Sequence, residues 1–359
     1  SDVVLSISSA DAGEATVTSS LTFTSANWDT AQTVTVTGID DDIIDGTQTT
    51  TITIAVIDAI SDNAFDSVSN QTVSVATTDD DVAGFTIAES GGSTSVDESG
   101  TTDSFTIVLD TQPSSDVVLS ISSADTGEVT VTSLLTFTSA NWDTAQTVTV
   151  TGVDDDIIDG TQTTTVSVTV VDSISDDNFD SVSDQAVSVA TTDDDVAGFT
   201  IAETGGSTSV AESGNTDTFT VVLDAEPDSD VVLSVSSSDT GEATVTSSLT
   251  FTSGNWDTPQ TVTVTGADDD LIDGTQTTTI TVSVNDGSSD NDFDGVSDQT
   301  VSVATTDDDV AGFTIAETGG STSVAESGTT DTFTVILDAQ PSSDVVLSIS
   351  SADAGEATV

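Results

Sequence analysis

The sequence predicts an all-β chain of tandem antiparallel β-sandwiches arranged in a linear array. Three observations carry this expectation. Short runs alternate an apolar residue with Thr or Ser, clusters of Gly, Asp, Asn and Ser separate the runs, and the whole pattern recurs along the chain. Alternation with period two is the signature of a half-buried strand, and regularly spaced turn clusters are the signature of a sandwich.

The repeat sets the domain organisation. SDVVLS begins at Ser1, Ser115, Ser229 and Ser343, 114 residues apart, and TTDDDVAGFTIAE begins at Thr77, Thr191 and Thr305 with the same spacing. A unit of this length is large enough to bury its own core, unlike a solenoid repeat. With boundaries placed after each DDD triplet, residues 82–195 and 196–309 are complete repeats. Residues 1–81 are then the C-terminal part of one repeat, and residues 310–359 the N-terminal part of another. The chain has no Met, even at position 1, and is expected to start inside a longer chain or after processing.

Within residues 82–195 the expected strands are Ser104–Leu109, Val117–Ile121, Leu135–Thr138, Gln146–Thr151, Thr165–Val170 and Val187–Ala190. Val, Ile and Thr suit a pleated surface. The run 174–182 is expected to form one turn of helix at most. Phe105, Phe137 and Trp142 are read as core or core-edge aromatics, a better reading than a sugar-binding platform in so aromatic-poor a chain. Antiparallel connections of this kind give an immunoglobulin-like sandwich, whose loops gather at its two ends.

Charge narrows the function. The chain holds 64 Asp and Glu and no Lys, Arg or His, for a formal net charge of −64. Compaction of such a chain works against self-repulsion that no side chain can neutralise. Phosphate recognition relies on Lys and Arg, so nucleic acid is excluded as a partner, as is an anionic membrane surface. No stretch approaches the length of a membrane-spanning apolar helix, and without Cys there are neither disulfides nor thiolate metal sites. The chain also lacks Tyr, leaving carboxylate pairs as its only acid–base chemistry, and no enzymatic activity is expected. The acidity could serve solubility or high salt alone, but the carboxylates are clustered. In the first complete repeat Asp154, Asp155 and Asp156 follow one strand and Asp159 comes three residues later. Asp193, Asp194 and Asp195 follow the last strand, Glu98 precedes the first long strand, and Asp125 lies in a turn. Gathered at one end of a sandwich, such oxygens suit calcium, which takes six to eight of them.

VDESG at 96–100, TVTVTGVDDDIIDG at 147–160 and DDDVAGFTIAE at 193–203 resemble, in order, the Calx-beta family of calcium-binding sandwich domains, known from sodium–calcium exchangers and large bacterial surface proteins. The resemblance covers the whole repeat and implies Ca2+ held by Glu98, Asp125, Asp154, Asp155, Asp159, Asp193, Asp194 and Asp195. In the next repeat it implies Glu212, Asp239, Asp268, Asp269, Asp273, Asp307, Asp308 and Asp309. The leading segment offers Asp11, Asp40, Asp41, Asp45, Asp79, Asp80 and Asp81, and the trailing one Glu326 and Asp353. The exchangers carry a further acid where this chain has Gln162, which implies fewer or weaker ions. Near-identical copies in series suit a part whose job is length. The expected role is a calcium-stiffened spacer in an extracellular or cell-surface adhesin shaft or filament, whose partners are calcium, neighbouring repeats and other copies of the chain. A calcium-sensing module, or a repeat binding ice or polysaccharide through Thr-rich faces, is the alternative.

Overall fold

The computed structural model describes residues 1–359, and the chain is all-β, with short 3-10 turns as its only helical elements. Two compact units are present, one of residues 1–155 with 160–193 and one of residues 156–159 with 194–359. The first unit holds a core built from residues between Phe85 and Val189, the second a core built from residues between Phe199 and Val303.

In the second unit, one sheet has the order Phe199–Glu203, Thr216–Leu223, Gln260–Gly266, Ala243–Val245, antiparallel throughout. The other has the order Thr208–Ala211, Gln299–Thr306, Gln276–Val284, Val231–Ser237, Ser248–Phe251. The first unit repeats both sheets at the corresponding positions, with Thr94–Asp97 beside Gln185–Thr192. Inward residues at alternate positions of Thr216–Leu223, namely Phe219, Val221 and Leu223, are buried, while their neighbours are partly exposed. Each expected strand of residues 82–195 forms, lengthened at one or both ends in most cases, as in Thr102–Leu109 and Gln162–Val170.

The sandwich is not purely antiparallel. Thr208–Ala211 pairs in parallel with Gln299–Thr306, Thr208 opposite Val303. The cause lies just upstream. Phe199–Glu203 belongs to the other sheet, and the chain crosses between sheets in a 3-10 turn at Thr204–Gly206 without reversing direction. Gly205 and Gly206 adopt φ of 77° and 86°, a region open to glycine at little steric cost.

Phe105 and Phe137 are fully buried, and Trp142 packs at the edge of the same core. The segment 174–182 contributes to two 3-10 turns, Asp172–Ile174 and Asp177–Phe179, the second of which seats Phe179 in the core. The leading segment has a four-stranded sheet in the order Ser20–Phe23, Val3–Ser9, Gln48–Val56, Gln71–Thr77, plus a pair of short strands, Ala15–Val17 and Val36–Gly38. The trailing segment pairs Phe313–Glu317 with Phe333–Leu337.

Candidate metal centre

Strand direction gathers the acidic loops of the second unit at one pole. Because Thr208–Ala211 and Gln299–Thr306 run parallel, the residues following each, Glu212 and Asp307–Asp309, emerge side by side. The Glu212 amide donates to the Thr306 carbonyl at 3.1 Å. Gln276 stands opposite Thr305, which returns Asp273 to the same pole. Thr265 stands opposite Thr216, so Asp268, Asp269 and Asp270 leave their strand there too. Ala243 faces Gly266, and this register carries Glu242 to the cluster.

Glu212, Asp307 and Asp309 each place a carboxylate oxygen within 4.8 Å of the others. Glu212 is only 1% exposed, and neither of its oxygens has a hydrogen-bond partner. Asp309 Oδ2 and Glu242 Oε2 are likewise buried without one. Unpartnered buried oxygens are costly, and charged ones more so. Burial, reinforced by Asp307, Asp269, Glu242 and Asp273, pushes the Glu212 carboxyl up to about 7. Burial and the charges of Asp307, Asp270, Asp308 and Asp268 raise Asp309 as well. Asp307 goes the other way. Amides of Gly274 and Asp309 donate to its two oxygens at 2.8 Å each and hold it below the usual carboxylate range.

This donor set fits a hard divalent cation. All its ligands are oxygens, several lack any other partner, and the chain has neither His nor Cys to favour a softer metal. Glu212, Asp307 and Asp309 form its centre, with Asp269, Asp273 and Glu242 around them.

The predicted residues distribute as follows. Asp268 and Asp308 act on the Asp309 side of the cluster. Asp239 is exposed and spends Oδ1 on the Gly241 amide at 2.9 Å, so it adds charge from within its own turn. Asp11, Asp125 and Asp353 make the same turn with Gly13, Gly127 and Gly355. In the leading segment Asp40, Asp41, Asp45, Asp79, Asp80 and Asp81 line one cleft together with Glu14. Asp79 there accepts from the amides of Asp45, Gly46 and Asp81 at 3.0, 2.7 and 2.8 Å. In the first unit Glu98 is 1% exposed and its amide donates to the Thr192 carbonyl at 3.1 Å, while the Gly160 amide donates to Asp193 Oδ2 at 2.8 Å. Asp154 and Asp155 follow Gly152, which faces Val129 as Gly266 faces Ala243. Asp159, Asp194 and Asp195 belong to the second unit. Glu326 is exposed and shares an open cleft with Glu356.

Glu14 and Glu242 are cluster members that the sequence reading passed over. Burial and like charges raise both. The available signal was a Gly-Glu step just before a three-residue apolar–Thr–Val strand.

No family model matches the chain, and no curated protein matches it. Among solved structures, domains 4–9 of the surface layer protein SbsC align with 87% of this chain and 40% of that one, at 17% identity and a TM-score of 0.27. The chain thus spans about two fifths of that structure's length. CBD12 from CALX1.2 aligns with 61% of this chain and 99% of its own, at 12% identity and a TM-score of 0.26. The Calx CBD1 domain aligns with 31% and 98%, at 16% identity and a TM-score of 0.24. The β-sandwich assignment itself rests on the strand registers described above.

Proposed function

We propose that this chain is a non-enzymatic structural spacer, built of calcium-binding β-sandwich repeats and belonging to an extracellular or cell-surface protein. The observation that carries the reading is Glu212. Its two buried oxygens have no protein partner, Asp307 and Asp309 stand within 4.8 Å, and the chain has no cationic side chain to answer them. Glu212, Asp307 and Asp309 would hold the ion, with Asp269, Asp273 and Glu242 completing its surroundings. Bound calcium supplies positive charge and coordination where the fold alone supplies only like charges.

Spacing rather than sensing is favoured by near-identical copies in series, which carry no division of labour. An extracellular setting provides calcium at the levels weak modules require. A site occupied at 100 times its dissociation constant adds about 2.7 kcal/mol, a large share of the ~5–15 kcal/mol stability of a domain.

The test is a thermal melt of the 359-residue chain in chelator, in calcium, and in sodium at equal ionic strength. Calcium is expected to raise the midpoint by about 10 °C or more, on the usual 4–8 °C per kcal/mol for a domain of roughly 100 residues, the size class of one repeat. An equal gain in sodium would replace the ion site with a screened acidic surface.

A further inference from the structure

The acidic loop of each repeat has a second face, and it is apolar. In the 268–274 loop, the Asp270 carbonyl accepts from the Gln340 amide at 2.6 Å and Leu271 pairs with Gln340 in a parallel bridge. Ile272 lines an apolar hollow with Phe313, Leu337 and Pro341. Gln340 and these three residues all lie beyond the Asp307–Asp309 triplet, in the next copy of the sequence repeat.

The same contact recurs twice. The Asp42 carbonyl accepts from the Gln112 amide at 2.7 Å with Ile43 bridged to Gln112, and the Asp156 carbonyl accepts from the Glu226 amide at 2.7 Å with Ile157 bridged to Glu226. Ile158 packs against the second core, which includes Phe199 and Leu223.

The two faces share one short backbone. Asp269 Oδ1 accepts from the Leu271 amide at 2.7 Å, and the Gly274 amide donates to Asp307 at 2.8 Å. Carboxylates at the pole therefore shape the backbone that carries Leu271 and Ile272 outward.

We propose that this loop couples each ion site to the first strand pair of the following repeat. An ion at the pole orders the apolar pair, and the docked pair seals the edge of the next core. By linkage, the docked neighbour tightens the ion site by the same factor. Repeats so coupled unfold as a nearest-neighbour array. The inference rests on the calcium reading above.

Hydrogen exchange of the full chain, read by mass spectrometry in calcium and in chelator, tests it. In the wild type, calcium should slow exchange in both Thr102–Leu109 and Thr216–Leu223. Ile158→Ser should speed exchange of Phe199–Glu203 and Thr216–Leu223 in calcium by about tenfold, the equivalent of some 1.4 kcal/mol. By the same linkage it should speed Thr102–Leu109 in calcium by no more than that factor and leave it unchanged in chelator, and Ile158→Val should keep the wild-type rates. Glu212→Gln should speed exchange across 333–340 by a similar factor. Leu134→Ser, at an exposed leucine of the first unit, serves as the matched control. Wild-type rates at Phe199–Glu203 in Ile158→Ser, or at 333–340 in Glu212→Gln, would overturn the coupling while a calcium effect in the wild type left the ion reading intact. No calcium effect on the wild type in any strand would overturn both.

Discussion

The amide of Glu212 and the carbonyl of Thr306 are hydrogen-bonded at 3.1 Å, because the strands that end at Ala211 and Thr306 run in the same direction. An antiparallel partner at this edge would have carried Glu212 to the opposite pole. This parallel pair is therefore what sets a buried, unpartnered glutamate against a triplet of aspartates.

Glu212→Gln separates the two consequences of that placement. The substitution removes a buried charge that only an ion can compensate. The calcium-free protein is expected to melt at the same temperature or higher, while calcium affinity falls by at least tenfold, about 1.4 kcal/mol. Calorimetric titration and paired melts check both halves. A calcium-free variant that is clearly less stable would mean that a protein donor satisfies Glu212.

Proton linkage gives a second expectation. The Glu212 carboxyl is raised by burial and by Asp307, Asp269, Glu242 and Asp273, from an ordinary 4.5 to about 7. Between these values the folded, ion-free state holds a proton that the unfolded state has released. Its contribution therefore favours folding most at low pH and fades as pH rises through about 7. Calcium must displace that proton. Affinity is expected to rise from pH 6 to pH 8, with up to one proton released per ion in buffers of different ionisation enthalpy. A flat affinity across this range would remove Glu212 from the ligand set.

The strands were legible because their alternation is long: Gln162–Val170 presents its inward residues in strict period two. The Asp triplets stood out because nothing cationic accompanies them. Thr208–Ala211 did not stand out as a parallel edge strand. Four residues carry too little period, and its direction depends on a sheet switch at Gly205 and Gly206. Glu242 was hidden for a related reason. It precedes a strand of three residues, and its place in the cluster follows only from Ala243 facing Gly266. The long strands could be read locally, but the pole where the loops meet depends on registers between distant segments.

Asp290 is a carboxylate of a different kind, 5% exposed and fully engaged. Burial works to raise it, but amides of Asp292 and Ser229 at 3.1 and 2.7 Å, with the Ser229 hydroxyl at 3.1 Å, outweigh burial and hold it below the usual range. Asp290 caps the 3-10 turn that seats Phe293 in the core. Asp290→Ala is expected to cost about 1–3 kcal/mol, since it strands buried donors. A depressed carboxylate stabilises the fold above its unfolded value of 3.8 and loses that contribution as pH falls through the lower, folded one. Denaturant unfolding in calcium at pH 7, and in strong acid where the carboxylate ligands are protonated, should show a smaller deficit in acid. An undiminished deficit there would assign the effect to packing.

Gly266 ties the fold to the site most directly. It closes the Gln260–Gly266 strand, its amide donates to the Asn215 carbonyl at 3.2 Å, and a Cβ there would collide with the Ala211 carbonyl. The obstacle is backbone, which cannot swing aside as a side chain would. Ala211 is the residue before Glu212, so relieving the clash moves the central ligand. Gly266→Ala is expected to cost about 1–3 kcal/mol, the usual range for overpacking, and to weaken calcium binding as well. Gly295→Ala is the matched control, because a Cβ at Gly295 meets nothing within 4 Å and its φ is not positive. That variant should stay within about 0.5 kcal/mol of wild type. Denaturant unfolding with and without calcium compares the two. Equal losses in both would show that the cost is generic to adding a methyl group, whereas a larger loss for Gly266→Ala in calcium than in chelator would show that the close approach of Gly266 to Ala211 holds Glu212 in ligating position.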